Sequence, residues 1–288
     1  MTTRRNVLKQ MALFSAGTLL SARSMAEIPS RPDRKIGVQL YTVRNEIFKD
    51  AKGTLGKVAE LGYREVENFG YNGRFFGMEA GEYRRFIEGL GLTAPSGHYM
   101  LAQLQNGWEK AVEDAASIGQ KYMVLAFLMP GERKTTDQYR QVAATLNKAG
   151  EIAAKAGIQL CYHNHDFEFE RIDGILPFDI LMKETDPGLV KAELDLYWSV
   201  KAGQQPLDLF RQYKGRIALW HVKDMDATDK KNFTEVGNGV IDFASIFKKH
   251  RQSGMQHFFV EQDICPGSPF DSIGKSIGHI RSKLLKYV

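Results

Sequence analysis

Short runs of apolar, β-branched and aromatic residues recur at regular intervals along the chain. Their first residues are a mean of about 32 positions apart, the length of one strand followed by one helix. The runs are Ile36–Tyr41, Tyr63–Asn68, Thr93–His98, Tyr122–Leu128, Ile158–His163, Val190–Leu196, Ile217–Val222 and Phe258–Gln262. The pattern therefore predicts eight β-strands.

The segments between these runs have the spacing of amphipathic helices. Gly53–Leu61 precedes the second run, and Gln138–Ala156 precedes the fifth with apolar residues at helical intervals. Gly62, Gly91 and Gly157 each stand between a helical pattern and a strand, where glycine commonly ends a helix. Strands that alternate with helices form a parallel sheet covered on both faces.

Eight strand–helix units favour a closed (β/α)₈ TIM barrel of the α/β class over an open sheet. Hydrophobic residues make up 43% of the chain and charged residues 25%, as in a globular protein. No linker or low-complexity tract interrupts residues 35–288, so we predict a single domain there, preceded by a short N-terminal segment, 27–34.

The first 26 residues have the pattern of an export signal. Thr3–Lys9 is basic and contains paired arginines, Met11–Leu20 is apolar, and Ser24 to Ala26 have the small-x-small pattern of a cleavage site. An apolar stretch of about ten residues is too short to cross a bilayer. We expect residues 1–26 to be a twin-arginine-like signal peptide and the mature protein to be periplasmic. The alternative is an ordinary amphipathic N-terminal helix.

The positive charge of the chain lies in this leader. The net charge is +5, but without residues 1–26 the chain has 35 basic and 34 acidic residues. A nearly neutral domain has no general attraction for polyanions. We therefore expect no nucleic-acid partner and no membrane span in the mature protein.

Several predicted strands end in polar residues that are poor core formers. The C-terminal ends of barrel strands meet at one face, where TIM-barrel enzymes carry their active sites. Imidazole and carboxylate groups together suit Mn²⁺, Co²⁺, Zn²⁺ or Fe²⁺. The best candidates by position are Asp195, His221 and Glu261, because apolar strand residues flank each of them. We expect one divalent metal ion there.

Other residues near these strand ends have two possible roles. Lys223 lies two residues after His221 and points to the same side, so it either stabilises a developing oxyanion or pairs with Asp224 or Asp226. The aromatic residues either line a sugar-sized pocket or pack between barrel and helices; they are Tyr41, Phe167, Trp198 and Trp220.

In six motifs the sequence resembles the sugar phosphate isomerase/epimerase superfamily of xylose isomerase-like barrels. The motifs are Gly-Val-Gln-Leu-Tyr-Thr-Val-Arg (37–44), Tyr-His-Asn-His-Asp-Phe-Glu-Phe (162–169), Glu-Leu-Asp-Leu-Tyr-Trp (193–198), His-Val-Lys-Asp (221–224), Gly-Asn-Gly-Val-Ile-Asp-Phe (237–243) and Val-Glu-Gln-Asp (260–263). The resemblance extends from about residue 35 to the C-terminus, and it implies a metal-dependent barrel without specifying a substrate.

The resemblance implies a metal held by Glu, Asp, His and Glu from strands five to eight. Asp195, His221 and Glu261 match the last three, whereas His163 stands where many epimerases have Glu; Glu168 is the alternative first ligand. Glu261 is then the expected base, and His165 or Lys223 supplies the second proton-transfer group. His163 is expected to be a neutral metal ligand and is counted among the catalytic residues with Glu261 and Lys223. The residues expected to bind substrate are Gln39, Tyr41, Glu67, His98, His165, Glu168, Trp198 and Lys223.

These features predict an enzyme that removes a proton next to the carbonyl of a small carbohydrate. Export argues against a phosphorylated substrate, so we expect an isomerase or epimerase of an unphosphorylated sugar or oxo-sugar. The close alternative is a lyase or dehydratase that eliminates a β-substituent, such as the aglycone of a 3-oxo-glycoside. More distant alternatives are a periplasmic sugar-binding protein and an endonuclease IV-like enzyme. Many barrels of this type associate, so a homo-oligomer is a further expectation, although no surface stripe in the sequence identifies an interface.

Overall fold

A computed structural model describes residues 34–288, which form one compact unit. The predicted signal peptide, and most of the predicted segment 27–34, lie outside the described residues. The strands are β1 Gly37–Gln39, β2 Glu65–Asn68, β3 Thr93–Tyr99, β4 Tyr122–Leu125, β5 Gln159–His163, β6 Val190–Asp195, β7 Ile217–Val222, β8 Asp224–Met225, β9 Phe233–Thr234 and β10 His257–Val260. Each of the eight predicted runs contains or overlaps one of the longer strands.

Eight of these strands close into a barrel. The order around the ring is β1-β10-β7-β6-β5-β4-β3-β2, and all neighbouring strands are parallel. The remaining two, β8 and β9, form a small antiparallel pair after β7. The predicted (β/α)₈ TIM-barrel fold is thus confirmed.

Helices follow the strands and cover the outside of the barrel. They are α1 Arg44–Ile47, α2 Ala51–Glu60, α3 Ala80–Gly89, α4 Leu101–Gln105, α5 Trp108–Ser117, α6 Thr136–Lys155, α7 Pro177–Glu184, α8 Leu196–Lys201, α9 Pro206–Gln212, α10 Phe243–Phe247, α11 His250–Ser253 and α12 Pro269–His279. No helix among residues 34–288 is both long and apolar enough to cross a membrane.

The longest helix shows how local sequence sets these boundaries. Thr135 and Gln138 form a reciprocal capping box at the start of α6, which satisfies backbone N–H groups that have no helical partner. One face of α6 is buried, including Leu146. Beyond its end Gly157 has φ +72°, a left-handed conformation that glycine adopts without the strain of a Cβ. The predicted helix-terminating role of this glycine is confirmed.

Side chains inside the barrel lie in layers of different chemistry. Val124, Cys161, Leu219 and Phe259 form an apolar cluster in the interior. Beyond it, towards the C-terminal ends of the strands, the interior side chains are polar. Since successive residues of a strand face opposite sides, a shift of one position moves a side chain from this interior to the helix layer.

Trp220 illustrates this alternation, because it lies next to interior-facing His221. Its ring stacks on Phe210 of α9 with centroids 5.1 Å apart and contacts the edge of Phe247. Of the two roles that the sequence left open for Trp220, packing between barrel and helices is correct, and pocket lining is wrong.

Candidate active site

The C-terminal ends of the barrel strands surround a cavity of about 600 Å³. Its polar lining comes from His98, His163, His165, Lys223, Glu261 and Asp263. Its aromatic and apolar lining comes from Tyr41, Phe69, Tyr71, Met100, Ala126 and Phe127. A concave site with a few convergent polar groups among apolar ones is typical of small-molecule binding.

Lys223 is the centre of one charged group, which we call the lysine cluster: Lys223, Asp195, Glu261 and Asp263. The Lys223 Nζ lies 2.9 Å from Asp195 Oδ2, 2.6 Å from Glu261 Oε2 and 2.9 Å from Asp263 Oδ2. The predicted alternative, pairing with Asp224 or Asp226, is wrong. The carboxylate of Asp224 instead accepts backbone N–H groups, including that of Gly237, so it orders the loop after β9.

Asp195 is held in place by the junction between β6 and α8. It is the last residue of the strand, and its Oδ1 accepts the backbone N–H of Trp198 as the N-cap of the helix. Its own backbone N–H donates to the side-chain oxygen of Asn164. The carboxylate therefore has a fixed direction, with Oδ2 left to face Lys223.

A second group lies beside the cavity, and we call it the histidine cluster: His98, His163, Glu193 and His221. His98 and His163 line the cavity, whereas Glu193 and His221 are buried behind them. The Oε2 atom of Glu193 lies 2.7 Å from His98 Nε2, 3.2 Å from His163 Nδ1 and 3.3 Å from His221 Nε2. Ligand atoms of all four residues lie within 4.8 Å of one another. The two clusters meet at His221, whose Nδ1 lies 2.8 Å from Glu261 Oε2.

Glu67 contacts the histidine cluster. It accepts hydrogen bonds from Gln39 Nε2 at 2.8 Å and from Ser96 Oγ at 2.5 Å, and it lies 2.5 Å from His221 Nε2. Both Glu67 and Gln39 are completely buried and are absent from the cavity lining. The sequence predicts that both bind substrate; in the structure Glu67 contacts His221, and Gln39 contacts Glu67.

The buried charged side chains of the two clusters shift one another's pKa values. Burial raises the pKa of Glu67, but the charges of His98 and His221 outweigh this effect and lower it to about 2. Burial and repulsion from Glu67 raise the pKa of Glu193 to about 7. Burial lowers the pKa of Lys223, but its three carboxylate partners, Asp195 foremost, outweigh this and raise it well above its ordinary value.

Glu261 is therefore an ionised carboxylate beside a charged ammonium. Burial acts to raise its pKa, but the charges of Lys223 and His221 lower it below the ordinary value. On the facing side, burial and the charge of Lys223 lower the pKa of His165 to about 3. The cavity thus combines a carboxylate base and an ammonium acid on one side with a neutral imidazole on the other.

His165 belongs to the aromatic side of the cavity. Its ring stacks on Phe167 at 5.3 Å and contacts the edge of Phe127 at 5.0 Å. Trp198 lies 5.5 Å from the same imidazole, beside the cavity, whereas Tyr41 lines the cavity itself. Four predicted substrate-binding residues therefore line the cavity, Tyr41, His98, His165 and Lys223, and Trp198 packs against His165.

Glu168, the alternative first metal ligand, is separated from both clusters by its hydrogen bonds. It accepts the Tyr162 hydroxyl at 2.6 Å and the His165 backbone N–H at 2.7 Å. It is completely buried, and this burial raises its pKa to about 8. The structure gives it neither cavity exposure nor a place among the groups that can hold a metal. It positions the loop that carries His165.

Sequence reasoning missed Glu193 and Asp263 as site residues. Glu193 lies two residues before Asp195 on β6, so the alternation of a strand already placed both on the interior face. Asp263 bears the same relation to Glu261. The cavity residues Phe69, Tyr71 and Phe127 lie beyond strand ends in loops, and no local pattern in the sequence marks them.

The donor atoms present suit a divalent metal ion. Among residues 34–288, two groups bring at least three possible ligand atoms within 4.8 Å of one another: the histidine cluster, in which His98 is partly exposed, and the buried set of Asp195, His221 and Glu261. His163 Nδ1, Glu193 Oε1 and Asp195 Oδ2 are buried without a hydrogen-bond partner among the described residues. Buried polar atoms without partners often point to an ion or water that belongs there. Imidazole and carboxylate donors suit Zn²⁺, Co²⁺, Fe²⁺ or Mn²⁺.

Known proteins resemble this chain in sequence and in fold. Residues 55–283 match the xylose isomerase-like TIM barrel family. An inosose dehydratase from Lacticaseibacillus casei is 31% identical over 156 residues, which cover 48% of this chain and 52% of that protein. The matched segment spans about half the length of such curated relatives.

Two solved structures extend the comparison across the barrel. A sugar phosphate isomerase/epimerase from Parabacteroides distasonis is 28% identical, with a TM-score of 0.79 over 89% of this chain and 96% of that one. A structure of the IOLI protein with a bound zinc atom has a TM-score of 0.69, covering 88% of this chain and 99% of that one. At 14% identity the second shows likeness of fold alone.

Proposed function

Because the chain belongs to the xylose isomerase-like TIM barrel family, we propose that it is a metal-dependent enzyme of small carbohydrates. In this proposal it removes a proton next to a carbonyl and then eliminates a β-substituent, as a lyase or dehydratase does. Relatives named inosose dehydratase support this reaction class. The isomerase/epimerase prediction is supported by the structural neighbour of that name and shares the first step.

The observation that best supports elimination as the reaction is that the ionised side chains lie on one side of the cavity. Glu261 and Asp263 follow β10, and Lys223 follows the neighbouring strand β7. The strand opposite β10 in the ring is β4, and it is followed by Ala126 and Phe127. Among the described cavity-lining residues, no carboxylate faces Glu261 across the site.

This asymmetry separates the reaction classes. Epimerisation by two opposed carboxylates requires proton transfer at both faces of one carbon. Elimination requires a base and an acid, and both can act from the same side. The pair of Glu261 and Lys223, 2.6 Å apart, supplies both groups on one side.

In the proposed reaction, Glu261 acts as the base and Lys223 acts as the acid. A divalent metal held by imidazole and carboxylate groups such as His221 and Asp195 would polarise the substrate carbonyl and acidify the neighbouring C–H. The Glu261 carboxylate takes that proton, and the electron pair of the C–H bond moves into an enediolate. The enediolate expels the β-substituent while the Lys223 ammonium donates a proton to the departing oxygen. Proton transfer from Glu261 back to Lys223 then restores both groups.

An isomerase remains the second candidate because a single base also serves it. Glu261 can return the proton to the neighbouring carbon of the enediolate, which moves the carbonyl without loss of a substituent. The neutral imidazole of His165 on the facing side is the available second group for epimerisation. The fate of the β-substituent separates these outcomes.

The test is NMR of the protein in D₂O with a divalent metal and three substrate types: an inosose, a 3-oxo-glycoside and an unmodified ketose. The proposal predicts exchange of the proton next to the carbonyl and release of water or the aglycone. Exchange with a moved carbonyl and no release supports the isomerase instead. Absence of exchange with all three substrate types contradicts both.

We also propose the cellular compartment in which the reaction takes place. The leader of residues 1–26 carries paired arginines, and twin-arginine export transfers folded proteins. We therefore place the enzyme in the periplasm, with an unphosphorylated sugar as its substrate. Fractionation of cells that express the whole chain, with a variant in which Arg4 and Arg5 are replaced by lysine as control, tests this location.

A further inference from the structure

We infer that the active-site cavity continues into a second space, the outer groove, which binds the aromatic aglycone of a glycoside substrate. The outer groove is a depression of about 380 Å³ whose aromatic lining is Phe48 and Phe76 and whose polar lining is Lys49 and Asn72. This aglycone site rests on the proposed function and deepens it, because it names the class of leaving group that elimination releases.

Phe69 and Gly70, the two residues that follow β2, join the outer groove to the cavity. Both line the cavity, and Gly70 lines the groove as well. The Phe69 ring lies with its centroid 5.3 Å from that of Tyr41 in the cavity wall. The same ring lies 5.5 Å from both Phe48 and Phe76 in the groove. One strip of aromatic side chains therefore leads from the cavity to the outer groove.

The two ends of this path differ in chemistry, and the difference favours an aromatic occupant of the groove. The histidine, lysine and carboxylate side chains that can pair with sugar hydroxyls line the cavity at the strand ends. The strip that leads outward consists of the rings of Tyr41 and Phe69. A hydroxyl buried there without a partner is costly, whereas a flat aromatic ring packs well against other rings. We therefore place the sugar at the strand ends and the aromatic aglycone on the strip.

The strip begins beside the proposed acid. The Arg44 guanidinium lies 4.4 Å from the centroid of the Tyr41 ring, and it donates a hydrogen bond at 2.8 Å to the backbone oxygen of Asp263. The Asp263 carboxylate in turn lies 2.9 Å from Lys223 Nζ, the proposed proton donor to the departing oxygen. Because that oxygen carries the aglycone, an aglycone that departs beside Lys223 has Tyr41 next to it.

The rings of the outer groove occupy positions that packing alone does not favour. Phe48 is 65% exposed. Phe76 has φ +50°, a left-handed conformation that a bulky side chain rarely adopts. Paired backbone hydrogen bonds between Phe75 and Met78, of 2.9 and 3.0 Å, hold the turn that carries Phe76. Backbone strain that is held in this way is concentrated at sites that contact ligands.

The test compares the binding of phenyl glucoside and methyl glucoside to the full chain, with Mn²⁺ present, by isothermal titration calorimetry. Neither compound has the carbonyl that the proposed reaction requires, so the affinities are independent of turnover. Phe48→Ala and Phe76→Ala each remove a ring of the groove, and Phe48→Tyr keeps the ring. Phe86→Ala is the matched control, because Phe86 is a partly buried phenylalanine of α3 that lines neither space.

We expect wild-type protein to bind phenyl glucoside about tenfold more tightly than methyl glucoside, the effect of one or two ring contacts. Phe48→Ala and Phe76→Ala should each lower this ratio by about three- to tenfold. Phe48→Tyr and Phe86→Ala should keep the wild-type ratio. A purely structural effect of a substitution weakens both glucosides alike, so the ratio separates it from loss of the aglycone site, and circular dichroism establishes that each variant is folded.

Three results overturn the aglycone site. Wild-type protein that binds the two glucosides equally, or binds neither, has no site for an aromatic aglycone. A preference for phenyl glucoside that both alanine variants retain places the aromatic ring elsewhere, and tighter binding of cellobiose than of phenyl glucoside assigns the groove to a second sugar. Release of the aglycone from 3-oxo-glycosides tests the proposed function separately, because an enzyme can show that turnover without the phenyl preference, or the preference without the turnover.

Discussion

The two ends of the barrel interior both contain glutamate–histidine pairs, but only one end is built as a reactive site. At the N-terminal end, Glu65 Oε2 lies 2.8 Å from His257 Nδ1. At the C-terminal end, Glu67 lies on the same strand and contacts His221. The apolar layer of Val124, Cys161, Leu219 and Phe259 belongs to the interior between these strand ends.

The two ends differ in how many charged side chains they contain and in how many contacts those side chains make. The pair of Glu65 and His257 is a single contact, and a quarter of the His257 side chain is exposed. At the other end, two coupled clusters are buried, carry shifted pKa values and border a cavity of about 600 Å³. An acid–imidazole pair by itself therefore does not indicate function; convergence of buried charges on a cavity does.

The largest expected effect is that of removing the metal. Dialysis against a chelator should lower turnover at least about a thousandfold, because Lewis-acid polarisation supplies several kcal/mol of the barrier. Readdition of Mn²⁺, Co²⁺, Zn²⁺ or Fe²⁺ should restore it, and the measurement is turnover before and after each step. Full activity in protein that elemental analysis shows to be free of metal would contradict the prediction.

The next largest effect is expected when the ammonium group of the lysine cluster is removed. Lys223→Met leaves three carboxylates in the cavity wall without their cation, and breaking a buried ion pair from one side costs about 3–5 kcal/mol. Urea unfolding should show this loss in the free energy of unfolding, and turnover should fall as well. A variant of wild-type stability would show that the ammonium is not required to hold these carboxylates.

Glu168 should make the free energy of unfolding depend on pH, because burial raises the pKa of this carboxyl group to about 8. Between the ordinary pKa of a carboxyl group and pH 8, the unfolded chain has lost this proton while the folded chain keeps it. Folding therefore takes up a proton, and the stability contributed by this group falls as the pH rises through that interval.

Glu168→Gln should flatten this slope. Urea unfolding of wild type and variant between about pH 5 and 9 measures it, since a glutamine amide does not titrate. Its oxygen accepts the His165 backbone N–H, and its NH₂ group donates to the Tyr162 hydroxyl oxygen. Parallel curves for the two proteins would mean that Glu168 titrates alike in the folded and unfolded chains.

The smallest effect is expected at the N-terminal end of the barrel. His257→Gln breaks the contact with Glu65, and a single partly exposed hydrogen-bonded contact contributes about 1 kcal/mol. Turnover should remain within about twofold of wild type, because the pair lies beyond the apolar layer and supplies no proton to the reaction. A large loss of turnover in a stable variant would show that the two ends are coupled.

Much of the fold follows from the sequence because its periodicity is local. The eight runs predicted the barrel strands, although the first run was extended to Tyr41 while β1 ends at Gln39. After Gln39 the chain turns into a 3₁₀ helix, which the glutamine side chain begins by accepting the N–H of Tyr41. This departure depends on one side-chain hydrogen bond, which apolar periodicity does not reveal.

The candidate site was only partly accessible from the sequence. Asp195, His221, Lys223 and Glu261 could be selected because they end apolar strands, and the structure brings them together. Their partners could not be assigned, because contacts between strands depend on the register of the closed barrel. Register places Asp195 beside His221 and leaves Lys223 between carboxylates of two different strands.

The most direct test of the contrast between the two ends uses a matched pair of substitutions, Glu261→Gln and Glu65→Gln. Each removes one carboxylate from the barrel interior and keeps its shape. The measurement is exchange of the substrate proton next to the carbonyl with D₂O, in metal-loaded protein. The account predicts a loss of about 10²–10⁴-fold for Glu261→Gln, as for a general base, and exchange close to wild type for Glu65→Gln. Normal exchange in Glu261→Gln, or equal losses in two folded variants, would contradict it.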